Sequence, residues 1–379
     1  MRLDRDVYCM VKEESGKKEI KELPWIRYDQ NPYGVPLLDL RPITYQLGSD
    51  IEESALKNLD SYSLEDGASF SGSSPVTERE IVADLRYRID GKLYPGSLFV
   101  PQTPDDRWAI FFDGQALYFV RSWSRELVAK ASVRFEENQM VIDAIEGRMT
   151  DSDFETENQT VALLNFLMLS HVLGESAPVP LLNELEHDTN RAAVWAFSLF
   201  GHRAKVGVFA EDALFSSKKV VRTTTAYHIA IANDDQESVK LILQQGLVDP
   251  NLLAQDGFTP IHWALYTDHY EMMKLLAEQG VDLNLLSLNG TTPLMDAVEI
   301  KSEKGLAALL TLGADPNKVD LNGFSALHRA AAMGLPKMVK ALLLAGAAID
   351  CLSHNDLTPV DLAKESGNQE VIVLLTPQD

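Results

Sequence analysis

The sequence has little cysteine and no long apolar run near its start. Its two cysteines, Cys9 and Cys351, lie near opposite ends of the 379 residues and lack metal-ligand spacing. This excludes a disulfide framework and favours a reducing compartment. The first residues are charged, without the apolar core of a secretion signal, and the longest uncharged stretch, 158–174, is short for a bilayer span. We expect a cytoplasmic protein that does not bind membranes.

Basic residues are also scarce. The chain has 34 Lys and Arg against 56 Asp and Glu, which gives a net charge of -22 at pH 7. Residues 1–222 and 223–379 each carry -11 of it. A chain this acidic repels phosphate backbones, so nucleic acid is not an expected partner. A basic protein partner suits the charge better.

Common catalytic signatures are missing as well. The sequence has no P-loop, dinucleotide-binding, nucleophile-elbow or H-E-x-x-H motif. Alternating carboxylates in 151–157 could hold a divalent cation, but they directly precede a predicted helix, and a helix-start role is favoured. We therefore predict no catalytic residue, no metal and no cofactor, and expect that the protein is not an enzyme.

The most informative feature that is present is an internal repeat in the last 157 residues. A six-residue motif begins at Thr225, Thr259, Thr292, Ser325 and Thr358, at spacings of 34, 33, 33 and 33 residues. In the first four units a glycine follows 21 residues after that hydroxyl. Thr or Ser caps a first helix, and the glycine ends a second helix in a left-handed conformation.

The motif resembles that of ankyrin repeats. Thr259-Pro260-Ile261-His262-Trp263-Ala264 is similar to the T-P-L-H-x-A signature of that family, and the resemblance covers about 223–376 in five units. It implies an all-α ankyrin-repeat solenoid of about five repeats that binds proteins through its concave face and finger tips. The motif histidines would then be structural. The first unit has Ala226 for proline, and the third has Met295 where histidine is usual.

The region before the repeats resembles no family that the motifs identify. We divide it into an irregular segment, 1–75, which ends in a Ser/Gly-rich loop or linker, and a domain, 76–222; the ankyrin domain is 223–379. Strand patterns predict three hairpins, 82–100, 108–120 and 127–145, and helices follow at 160–173 and 190–199. Strands first and helices later indicate an α+β domain with a mostly antiparallel sheet.

The resemblance also indicates where a partner would bind. In the family, the residue after the histidine and the one three positions later face the concave side. Trp263 and Tyr266 hold these positions in the second unit, one helical turn apart, and Asp296 with Glu299 would add an acidic rim in the third. The predicted partner-binding residues are Phe258, Trp263, Tyr266, Asp296, Glu299, Phe324 and Arg329.

Two functions remain open at this point. The leading hypothesis is an interaction scaffold or adaptor; an acidic inhibitor that neutralises a basic toxin, as immunity proteins and antitoxins do, is one form of it. The alternative is an enzyme or small-ligand-binding domain that the ankyrin repeats target. Its candidate ligand site is Arg121, Trp123 and Arg125, where two arginines flank a tryptophan at a strand end, with His171 as a further candidate.

Overall fold

The computed structural model describes residues 23, 25–33, 35–39, 61–62, 65–77, 79–153, 155–185, 188–201, 206–208 and 214–376. The chain divides into two compact units, Met1–Thr223 and Thr224–Asp379. The further separation of 1–75 from 76–222 stays a prediction.

The N-terminal unit is built on a seven-stranded sheet. Its strands are β3 (Glu80–Ile89), β4 (Gly96–Phe99), β5 (Trp108–Phe112), β6 (Ala116–Arg121), β7 (Leu127–Glu136), β8 (Gln139–Gly147) and β11 (Val220–Val221). The spatial order is β11-β3-β8-β7-β6-β5-β4, and every described pairing is antiparallel except that of β11 with β3. The unit is therefore strand-rich, as expected.

A second, four-stranded sheet has the order β1-β2-β10-β9. Its strands are short: β1 (Trp25–Ile26), β2 (Leu37–Asp39), β9 (Val179–Pro180) and β10 (Val206–Val208). Two α-helices lie fully within the described residues of the unit: α1 (Glu157–Leu167), which continues into a π-helical turn over Met168–Val172, and α2 (Thr189–Phe200). Both helices bury apolar side chains in a common core with the large sheet.

Two of the three predicted hairpins are confirmed. β5 pairs with β6 across the Asp113-Gly114 turn, and β7 pairs with β8, with Glu136 opposite Gln139. Asn138 in that second turn has φ 55°, a left-handed conformation that asparagine tolerates.

The first predicted hairpin is wrong. β3 does not pair with β4, because its two edges are occupied by β8 and β11, and β4 pairs with β5 instead. The Asp90-Gly91 turn therefore carries the chain away from β3. Nothing local in the sequence reveals that β3 takes its partner from more than fifty residues further along.

The predicted Ser/Gly-rich loop packs against the large sheet and is not a linker. The Phe70 ring stacks on Phe111 at 5.4 Å, and the backbone N–H of Gly72 donates to the Tyr118 hydroxyl at 3.0 Å. Gly67 has φ 86°, and a Cβ there would lie 2.3 Å from the Phe111 Cβ. Only glycine fits at that position.

The C-terminal unit consists of helix pairs in the phase that the repeat predicts. The first helices are α3 (Ala226–Ala232), α5 (Pro260–Tyr266), α7 (Pro293–Glu299), α9 (Ala326–Ala332) and α11 (Pro359–Ser366). The second helices are α4 (Gln236–Gln244), α6 (Tyr270–Glu278), α8 (Glu303–Leu312), α10 (Pro336–Leu344) and α12 (Gln369–Leu375). First helices pack on first helices and second on second, around one continuous apolar core.

An asparagine ladder joins successive repeats. Each asparagine follows a second helix, and its Oδ1 accepts the backbone N–H 31 residues later, at 2.8 Å in every case. The pairs are Asn251 with Asp282, Asn284 with Asp315, and Asn317 with Ala348. These bonds fix the spacing of the loops between repeats.

Replacing Asn284 by alanine should lower the free energy of unfolding by about 1–2 kcal/mol, because the Asp315 N–H loses its acceptor. Urea unfolding of the full chain, followed by helical circular dichroism, measures the loss. The exposed Asn355 serves as control, and Asn355→Ala should cost less than about 0.5 kcal/mol. Equal losses in the two variants would contradict the role of the ladder.

Candidate partner-binding site

The predicted partner-binding residues lie on the first helices and on the turns that precede them. In four of the five repeats the first helix begins at a Thr or Ser whose side chain and whose backbone N–H both bond the residue three positions later. In the third repeat, the Thr292 side chain accepts the Met295 N–H, and no bond returns from Met295. Such capping fixes the direction of each short helix. The positions after the histidine then align from repeat to repeat, as Trp263, Asp296 and Arg329 do.

Phe258, Trp263 and Tyr266 form an aromatic patch in the second repeat. The Phe258 and Tyr266 ring centroids are 5.2 Å apart, and the Tyr266 residue is 44% exposed. Trp263 is half-buried: its ring lies 5.8 Å from that of His228 in the preceding repeat, and its Nε1–H donates to Asp256 Oδ1 at 3.4 Å. The patch therefore offers Tyr266 to solvent, with Trp263 as a partly covered neighbour.

Asp296 does not belong to an exposed acidic rim, which corrects the sequence-based expectation. Its residue is 2% exposed, its Oδ2 accepts the Tyr266 hydroxyl at 2.8 Å, and the same atom lies 3.6 Å from His262 Nε2. Burial raises the pKa of Tyr266, and the hydrogen bond to Asp296 raises it further. Through this hydrogen bond, the buried Asp296 carboxylate fixes the orientation of the Tyr266 ring.

Glu299 and Arg329 are joined to each other. Arg329 forms ion pairs with Glu299 of the third repeat and with Asp320, whose Oδ2 lies 2.8 Å from Nη2. Asp320 is buried, whereas half of the Glu299 side chain is exposed. Phe324 is half-buried against the His328 ring, with centroids 5.5 Å apart. Glu299, Arg329 and Phe324 thus make contacts within the repeat array itself.

Asp256 and Asp320 were not predicted from the sequence. Asp320 lies 33 residues after Ser287 and 33 before Ser353, and all three accept a backbone N–H of their own turn. The sequence did contain a signal for Asp320, since an aspartate stands there at a repeat position that is serine in the units before and after it. Asp256 is exposed by area, yet surrounding protein atoms crowd its carboxyl group, and this desolvation raises its pKa.

The motif histidines have the structural role that the resemblance implied. His228 Nδ1 lies 3.0 Å from Thr225 Oγ1, and its Nε2–H donates to the Leu252 carbonyl at 2.9 Å. His328 bonds Ser325 and the Leu357 carbonyl in the same way. Burial lowers the pKa of His228 to about 4 and that of His262 to about 4. Both are therefore neutral at physiological pH.

The candidate ligand residues of the N-terminal unit are engaged internally. Arg121 donates to the carbonyls of Met149 at 3.0 Å and Leu199 at 3.3 Å, and Trp123 Nε1–H donates to Pro104 O at 2.8 Å. Arg125 pairs with Glu65 at 2.6 Å. The side chains that were expected to converge on a ligand hold loops and strands instead.

The other candidates of that unit also have structural partners. His171 is buried, 4.9 Å from the Phe99 ring, with Ser170 Oγ 2.7 Å from its Nδ1. In the acidic stretch, Glu155 is buried and accepts the N–H groups of Met149 and Thr150 at 2.9 and 2.7 Å. Thr156 caps α1. The stretch therefore leads into a helix, as predicted, with Glu157 in the first turn, whereas Glu155 holds the preceding loop.

The described residues contain neither a candidate metal site nor a membrane-spanning helix. No cluster of three or more His, Cys, Asp or Glu side chains there has the arrangement of a metal site. No helix within the described ranges is long and apolar enough to cross a membrane.

Aligned short helix pairs around one continuous apolar core define a helical-repeat solenoid. The family model described as ankyrin repeats (3 copies) matches residues 227–320 and 294–379. The solved ankyrin repeat domain of Bcl-3, described as a unique member of the IkappaB protein family, is 31% identical over 40% of this chain and 67% of that one, with a TM-score of 0.38. The chain belongs to the ankyrin-repeat family through this region, a non-catalytic domain with a protein-interaction role.

Because the motif histidines are buried in their neutral form, the stability of the repeats depends on pH. Because the pKa of His262 falls from 6.5 unfolded to about 4 folded, its contribution is complete above pH 6.5 and is lost as the pH falls towards 4. The loss should approach about 1.4 kcal/mol per pH unit for this histidine. Urea unfolding of the full chain at several pH values in this range measures the free energy of unfolding. As the pH falls, this free energy should decline less for His262→Gln than for the parent chain.

The exposed His354 provides the control for this comparison. His354→Gln should keep the pH dependence of the parent chain. If His262→Gln also kept it, the neutral, buried state of His262 would not contribute to stability.

Proposed function

We propose that the protein is an interaction scaffold that holds a protein partner on the first-helix face of its ankyrin repeats, with the aromatic patch Phe258, Trp263 and Tyr266 as the anchor. The observation that carries the proposal is Tyr266. It is a large aromatic side chain, 44% exposed, whose hydroxyl is held by the buried Asp296 at 2.8 Å. A ring fixed in this way loses little conformational entropy on binding.

The position of the patch supports the proposal. Trp263 and Tyr266 occupy the two positions of the second repeat that face partners in ankyrin proteins, and the repeats on either side carry no aromatic residue there. Tyr and Trp are also the residues most often found as anchors of interfaces. A partner that covers the patch would bury the Tyr266 face and the rest of Trp263 together.

Charge supports a basic partner. Residues 224–379 carry 9 Lys and Arg against 20 Asp and Glu, so a cationic surface is attracted at long range. Neutralisation of a basic toxin, as by an immunity protein or antitoxin, is the finer form of the proposal. Its support is this acidity together with the aromatic patch.

The test is capture from the native source followed by measured affinity. A protein retained by the intact chain is purified and titrated against it and against Trp263→Ala/Tyr266→Ala. The double variant should bind at least about thirtyfold more weakly, since truncated anchors cost about 2 kcal/mol or more.

A matched control removes apolar surface from the second helices of two other repeats. Leu241 and Leu344, on α4 and α10, are 54% and 90% exposed. Leu241→Ala/Leu344→Ala should leave the affinity unchanged. If both double variants bind as well as the parent, the aromatic patch is not the anchor.

A further inference from the structure

The N-terminal unit contains a complete arginine site formed by two aromatic rings and a carboxylate. The Arg125 guanidinium carbon lies 4.8 Å from the Tyr62 ring centroid and 5.5 Å from that of Phe70. The same guanidinium pairs with Glu65 at 2.6 Å. The rings attract the cation through their negative faces, and the carboxylate fixes its orientation.

The aromatic patch of the ankyrin unit has the same set of groups without the cation. Tyr266 and Phe258 supply a tyrosine and a phenylalanine with centroids 5.2 Å apart, and Asp256 supplies the carboxylate. The charge of Asp256 also acts on the Tyr266 hydroxyl. Burial raises the pKa of Tyr266 most, Asp296 raises it further, and Asp256 makes a smaller contribution in the same direction. Within the described residues 224–376, no Lys or Arg lies over an aromatic ring.

The surroundings of the patch favour a positive occupant. The face positions of the first three repeats are Ile229, Ala232, Trp263, Tyr266, Asp296 and Glu299. None of them is basic, and the first cation along the face is Arg329, which is paired with Glu299 and Asp320. An incoming guanidinium would therefore meet negative ring faces and carboxylates without a competing positive charge.

We propose that the aromatic patch binds an arginine side chain of a basic protein partner, with the guanidinium on the Tyr266 and Phe258 rings and paired with Asp256. This inference rests on the proposed function and names the group that the partner supplies. Arginine suits the site better than lysine, because its planar guanidinium stacks on a ring while it bonds a carboxylate.

The test uses two synthetic peptides that differ in charge alone. One alternates glycine with three arginines, and the other has citrulline, a neutral residue of similar shape, in place of each arginine. The reporter is the indole N–H signal of Trp263 in the NMR spectrum of the full chain, since Trp263 is the single tryptophan of residues 224–379. The arginine peptide should shift this signal saturably and bind at least about tenfold more tightly than the citrulline peptide.

Three variants locate the binding. Tyr266→Leu, which keeps apolar area but removes the ring, and Asp256→Asn, which keeps the Oδ1 acceptor for Trp263 and Phe258, should each weaken binding at least about threefold. Tyr266→Phe should retain most of the affinity. Glu271→Gln on α6, an exposed position with the same loss of charge as Asp256→Asn, should have no effect.

Two results would overturn the inference. Equal binding of the two peptides would show that the charge of arginine is not recognised. Equal weakening by Glu271→Gln and Asp256→Asn would show that the acidic surface attracts the peptide without a site. If either occurs while Trp263→Ala/Tyr266→Ala still loses the captured partner, the proposed function stands and only the arginine site fails.

Discussion

The ankyrin unit depends on side chains that bond the backbone of the next repeat. Its helices are seven to ten residues long, too short to be stable alone in water, so each pair relies on its neighbours. Apolar contacts supply most of that support, but they are not directional. His228 to the Leu252 carbonyl, and Asn284 to the Asp315 N–H, set the register in which the apolar faces meet. The neutral ring also accepts the Thr225 N–H at its Nδ1, and protonation would remove that bond.

How far the sequence predicted the structure differed between the two units. A repeat displays the same local signals several times, so the helix starts and the glycine ends could be read from spacing, while the structural role of the histidines followed from the resemblance to ankyrin repeats. In the N-terminal unit, local turn signals identified the β5–β6 and β7–β8 hairpins but could not reveal that β3 pairs with β8. Asp296 failed for a related reason: its position indicated the face it lies on, but its burial depends on Tyr266 and His262, which belong to another repeat.

In the candidate ligand site of the N-terminal unit, the sequence pattern indicated the type of interaction correctly but not the groups that take part in it. Arginines next to a tryptophan do form cation–π contacts there, but with the chain's own groups: Arg107 lies 3.8 Å from the Trp123 ring and Arg121 4.1 Å from that of Trp108. The sequence showed the right residue types. It could not show that backbone carbonyls and Glu65 already satisfy them, because those partners lie far away in the chain.

The methionine at position 295 has a mechanical consequence. Where the first, second and fourth repeats place an imidazole against the following turn, the third places a buried thioether that cannot hold a backbone carbonyl. The links between the third and fourth repeats then include the Asn317 bonds to Ala348 and Gly346 and the ion pairs of Arg329 with Glu299 and Asp320, and ion pairs are weakened by salt. When the array is stretched, the stiffness of this joint should therefore vary with ionic strength.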